Sequence, residues 1–123
     1  GHLSLVREAR KRVGKRGVVV VSIYVNPTQF GPKEDLASYP RDLARDRTLA
    51  EGRGVEALFV PDASAMYPQP PQVRVVPGTL AEHLCGPWRP GHFEGVVTVV
   101  AKLFNAVMPQ VAIFGRKDYS SCR

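Results

Sequence analysis

The chain has 123 residues, 44% of them apolar, and carries a formal net charge of +6. That length points to one domain with room for a real core, and the apolar share excludes a disordered chain. No apolar run reaches membrane-spanning length and no basic segment leads into a short apolar one, so no membrane partner and a cytoplasmic location are expected. Cys85 and Cys122 form no C-x-x-C pair, which disfavours metal-finger and thioredoxin readings and leaves two free thiols in a reducing compartment.

Basic residues cluster between Arg7 and Arg16 and again between Arg41 and Arg53. Such clusters usually form solvated helix faces. Aromatic residues are not interleaved with them, so no nucleic-acid partner is expected, whereas a positive field suits a phosphate-rich small ligand such as ATP. Residue 1 is Gly and the final residues follow an apparent helix start, so the sequence reads as a piece of a longer chain.

In chain order, Leu5, Val6, Ala9 and Val13 recur at helical spacing and predict an amphipathic helix over 2–15, left through Gly14 and Gly17. Val18 to Val25 is β-branched, uncharged and does not alternate, the habit of a parallel strand buried on both faces. A long polar loop over 26–39 follows. Pro40 fits the first position of a second helix running to Glu51, and Val55 to Val60 reads as a second strand. A helical turn is expected at Ala63 to Met66 and a short edge strand at Gln72 to Val76. Residues 77–93 read as irregular. Gly95 to Val107 is apolar and long enough for a buried helix, interrupted only by Lys102; Val111 to Phe114 reads as a further strand. Alternating strands and helices predict an α/β class with a mostly parallel sheet in a Rossmann-like, three-layer arrangement.

Chemistry concentrates beyond the strand ends, where parallel α/β sheets bind ligands. Asn26 and Gln29 offer two carboxamides there, although Asn-Pro is also an ordinary turn starter. His2, beside Gly1, sits at a helix N-terminus suited to phosphate. Arg89 precedes the apolar helix and is able to grip carboxylate or phosphate bidentately, and His92 is as fit to cap backbone groups as to bind. Gly115-Arg116-Lys117-Asp118 opens a helix after a strand: Gly allows close approach, Lys117 gives a mobile charge for phosphate and Asp118 an acceptor for a ribose hydroxyl. Its spacing is not that of a Walker A loop. Asp42 and Asp46 are spaced to share a helix face, as a magnesium contact or as a surface paired with Arg41 and Arg45.

Taken in order, Gly1-His2-Leu3-Ser4-Leu5-Val6, Asn26-Pro27-Thr28-Gln29-Phe30-Gly31, Asp35-Leu36-Ala37-Ser38-Tyr39-Pro40-Arg41, Met66-Tyr67-Pro68, Arg89-Pro90-Gly91-His92-Phe93 and Phe114-Gly115-Arg116-Lys117-Asp118-Tyr119 resemble the pantothenate synthetase (pantoate–β-alanine ligase) family. The resemblance covers residues 1 to about 119 and implies a nucleotidylyltransferase-type Rossmann-like fold, with this chain as part of its N-terminal catalytic domain. It implies ATP-dependent condensation of pantoate with β-alanine through a pantoyl-adenylate, releasing AMP and diphosphate, with Mg²⁺, in a full-length homodimer. His2 resembles the second histidine of the family's H-x-G-H element and would stabilise charge on the transferring phosphate. Gln29 would hold pantoate with Asn26 beside it. Gly1, Gly115, Arg116, Lys117 and Asp118 would contact ATP, Arg89 and His92 would line the substrate pocket, and Asp46 would meet the metal.

The chain departs from the pattern at three places. The first histidine of H-x-G-H is absent, Arg116 stands where the family usually has Glu or Gln, and Ser120-Ser121 stand where it has Gln-Gln. In the family's fold a further strand would lie between the strand at 18–25 and that at 111–114. The isolated piece is therefore expected to be unstable, aggregation-prone and inactive. The alternative is a non-catalytic nucleotide-binding module of the same fold.

Overall fold

The structure is a computed structural model and describes residues 1–29, 42–79 and 91–116. Its elements are α1 (His2–Val13), β1 (Val20–Ser22), a 3₁₀ turn (Pro27–Gln29), α2 (Leu43–Glu51), β2 (Ala57–Phe59), α3 (Ala63–Met66) and α4 (His92–Val107). The class is α/β with a parallel sheet. β1 and β2 pair in parallel, Val20 opposite Ala57, Val21 opposite Leu58 and Ser22 opposite Phe59, and α2 lies in the connection between them. The pairing runs past the strands: the amide of Ile23 donates to the Phe59 carbonyl at 2.9 Å and that of Glu56 to the Val19 carbonyl at 3.1 Å.

Each helix matches its apolar periodicity, with shifted ends. α1 stops at Val13 rather than residue 15, because Gly14 takes φ 71° and its N–H donates to the Arg10 carbonyl at 2.9 Å. α2 starts at Leu43, since the Asp42 carboxylate accepts from the Arg45 amide at 3.0 Å and caps the helix; Pro40 lies outside the described residues. α4 starts at His92, three residues earlier than expected, after Gly91 in the left-handed region at φ 77°.

Other expectations fail on pairing. The strand expected over 18–25 shortens to three residues and is not buried on both faces: Val18 is 63% and Val20 37% exposed. Beyond Ser22 the chain leaves the sheet for the turn that Asn26-Pro27 begins. The second strand likewise contracts to Ala57–Phe59. Residues 72–76 form no strand; instead Thr98 of α4 holds Val75, its hydroxyl accepting from the Val75 amide at 2.9 Å. Residues 111–114 form no strand among the described residues, and Phe114 lies edge-on against Phe104 at 6.3 Å between ring centroids. An apolar run supplies the habit of a strand, yet a strand also needs a neighbour's backbone.

The buried apolar residues among those described are Val19, Ala50, Met66 and Val99, one each from the β1 approach, α2, α3 and α4. Cys85 and Cys122 lie outside the described residues.

Candidate active site

The turn after β1 and the first half of α4 meet at Asn26. This side chain is 2% exposed, and its Nδ2 donates to the Gly95 carbonyl at 3.1 Å. Its Oδ1 accepts from the Thr28 amide at 3.2 Å and the Thr28 hydroxyl at 2.8 Å. The second pattern is an Asx turn, which favours the tight turn over continued strand. Asn26 therefore fixes where Pro27–Gln29 sits relative to α4, and its amide is spent on the protein itself. Gln29 ends that turn.

His92, the first residue of α4, is 8% exposed and its ring meets Phe93 edge-on at 5.3 Å. Tyr24, Tyr67 and Lys102 also belong to the α3–α4 side. Lys102 Nζ donates to the Met66 carbonyl at 2.7 Å and stands 4.6 Å from the centre of the Tyr67 ring. The hydroxyls of Tyr24 and Tyr67 are buried and have no hydrogen-bond partner among the described residues. Burial, and then the neighbouring Tyr67, push the Tyr24 phenol above its ordinary value. Sequence reasoning missed these residues. The signal available was Lys102, the one charge in the apolar run from Gly95 to Val107, which has to find a partner as its helix packs.

His2 is exposed at the start of α1, where Gly1 supplies no side-chain cap and no acid occupies the first turn. The helix end thus keeps its positive character. The Gly1 carbonyl accepts from both the amide of Ser4 at 3.0 Å and its hydroxyl at 2.6 Å. Asp46 is exposed on α2, and Asp42 is engaged as its cap, so the two do not act as a free pair. The side chains of His2 and Asp46 make no hydrogen bond or ion pair among the described residues, whereas Asn26, the turn and α4 are joined directly. Gly115 and Arg116 close the described chain behind Phe114, and Arg89, Lys117 and Asp118 lie outside the described residues. Among the described residues no group of three His, Cys, Asp or Glu side chains is placed to hold a metal. No helix among them is long and apolar enough to cross a membrane.

The parallel α/β arrangement, with a polar turn beyond the carboxyl end of β1 backed by α4, is of the nucleotidylyltransferase type, a class whose ligands bind beyond strand ends. Residues 1–123 match the family model for pantoate-beta-alanine ligase, and the chain belongs to that family. It is 55% identical over 122 residues to pantothenate synthetase 1 of Bradyrhizobium diazoefficiens, covering 99% of this chain and 42% of that protein. It is 59% identical over 119 residues to the pantothenate synthetase of Moorella thermoacetica, covering 97% and 41%. The crystal structure of the enzyme from Thermus thermophilus superposes with a TM-score of 0.88 at 54% identity, over 97% of this chain and 42% of that one. A pantoate-beta-alanine ligase from Francisella tularensis, complexed with beta-gamma ATP and beta-alanine, superposes at 0.80 with 40% identity over 89% and 41%. The chain thus spans about two-fifths of the length of these relatives.

Proposed function

We propose that the protein carrying this chain joins pantoate to β-alanine at the expense of ATP, and that residues 1–123 supply part of its N-terminal catalytic domain. The observation that carries this reading is the Francisella relative, complexed with beta-gamma ATP and beta-alanine and matched over 89% of this chain. In the reaction a pantoate carboxylate oxygen attacks the α-phosphorus of ATP and diphosphate leaves. The β-alanine amine then attacks the acyl carbon of the adenylate, AMP leaves, and the amine gives up a proton.

On this reading the labour divides among this chain's residues. His2, at a helix end with uncompensated positive character, binds the phosphates. Gln29 takes pantoate, and Asn26 positions the turn that presents it rather than contacting substrate. His92 and Arg89 are assigned to binding the same substrate. Gly1, Gly115, Arg116, Lys117 and Asp118 receive the nucleotide, Lys117 on phosphate and Asp118 on ribose. Magnesium is commonly held by substrate phosphates plus one or two carboxylates. Asp46 offers one exposed carboxylate, which fits that mode and not a protein cage. Mg²⁺ would neutralise phosphate charge there.

The test is diphosphate release from ATP, pantoate and β-alanine. Turnover is expected from the full-length protein and not from residues 1–123 alone, and His2→Ala and Gln29→Ala should each abolish it. No release from the full-length protein overturns the reading. ATP binding without release would favour a non-catalytic nucleotide-binding module, the reading that Arg116 and Ser120-Ser121 support.

A further inference from the structure

A concave site lies along α1. A cavity of about 360 Å³ opens between α1 and the turn joining α2 to β2. Leu3 and Val6 give it an apolar wall, while Arg7, Lys11 and Lys15 line it from α1 and Arg53 faces them from the turn.

Arg7 and Lys11 stand four residues apart on α1, about 6 Å along its axis, and Lys15 follows beyond the C-terminal exit of the helix. Like charges at this spacing disfavour a helix. No acid offsets them. Among the described residues Arg7, Lys11, Lys15 and Arg53 have no ion-pair partner, because Glu8 pairs with Arg12, Glu51 with Arg47 and Glu56 with Arg10. The corner of the cavity is nevertheless fixed. Arg10 donates to the carbonyls of Gly14 at 2.9 Å, Gly17 at 2.8 Å and Gly54 at 2.9 Å, tying the end of α1 to the turn that carries Arg53. The local acids and carbonyl acceptors are thus engaged in holding the frame, and four cationic residues line one cavity.

We propose that this cavity binds a small phosphorylated molecule with an apolar portion, its phosphoryl groups between the α1 cations and Arg53 and its apolar part on Leu3 and Val6. The volume falls in the range of small-molecule sites, roughly 300–1,000 Å³. The apolar wall separates such a ligand from bare inorganic anions, which gain nothing from it.

Calorimetric titration of the protein carrying this chain with isopentenyl diphosphate and with inorganic diphosphate tests the proposal. The five-carbon compound is expected to bind about fivefold tighter or more, in keeping with its buried apolar area. Lys11→Glu with Arg53→Glu should weaken it about tenfold or more. Arg16→Glu with Arg45→Glu, an equal change in net charge outside the cavity, should change it less than about twofold. Should the first pair fail to fold, Lys11→Gln alone is expected to weaken binding about threefold with an unchanged circular dichroism spectrum. Absence of binding, equal loss in both pairs, or equal affinity for the two diphosphates each overturns the proposal.

Discussion

Two of the junctions among the described residues use opposite chemistry. Where α1 meets the sheet, the joint is ionic and half open to solvent: Arg10 pairs with Glu56, and Glu56 in turn accepts from the Val19 amide at 2.7 Å. Where the turn after β1 meets α4, the joint is neutral and buried, built on Asn26, Thr28 and Gly95. An exposed ion pair is weakened by salt and by acid, whereas a buried carboxamide is indifferent to both but unforgiving of losing a partner. The chain thus places its environment-sensitive joint away from the candidate active site and its insensitive one beneath it.

Asn26→Leu should break the comparison most severely. It removes three hydrogen bonds from a buried position, and at about 1 kcal/mol each the expected loss is about 3 kcal/mol in urea unfolding. Gly17→Ala attacks the ionic joint through the backbone. A Cβ there would stand 2.3 Å from the Val13 Cβ and 2.6 Å from the Val13 carbonyl oxygen, so the end of α1 has to move, at a cost of about 1–2 kcal/mol in the same measurement.

Glu56→Gln sharpens the contrast through pH. The Val19 amide, and then Arg10, hold the Glu56 carboxyl below its ordinary 4.5. Because the folded value is the lower one, Glu56 contributes stability above the ordinary value and loses it as pH falls through the folded value. The variant should therefore show a flatter fall in melting temperature below about pH 4.5 than the parent, while Asn26→Leu should leave that slope unchanged. The smallest effect is expected at the far end of α4. Met108 caps the helix in the left-handed region at φ 53°, where Gly carries no strain. Met108→Gly should raise stability by about 0.5 kcal/mol without touching either joint.

The helices were legible because their apolar spacing states which face is buried, and α1, α2 and α4 all formed where that spacing runs. Their ends were less so. The cap at Asp42 and the left-handed Gly91 depend on local geometry that periodicity does not encode. Strands were legible only as tendencies. Residues 111–114 have the composition of a strand but form none among the described residues, and Val75 finds a threonine hydroxyl instead of a neighbouring strand. At the candidate site, residue type pointed to Asn26 as a polar residue in a telling place. It did not reveal that the amide reaches the Gly95 carbonyl, 69 positions away, and ties the turn to α4. Likewise Arg10 was indistinguishable from the other basic residues of α1 until the fold brought Glu56 beside it.

That separation of 69 residues has an entropic meaning. Pairing β1 with β2 closes a loop of 37 residues, whereas seating α4 against the turn closes nearly twice as many, and each doubling of a loop adds about 0.6 kcal/mol of closure entropy. The joint at Asn26 therefore rests on a longer chain closure than the sheet does, and the turn beside the candidate site takes its seat against α4 only when that closure is made.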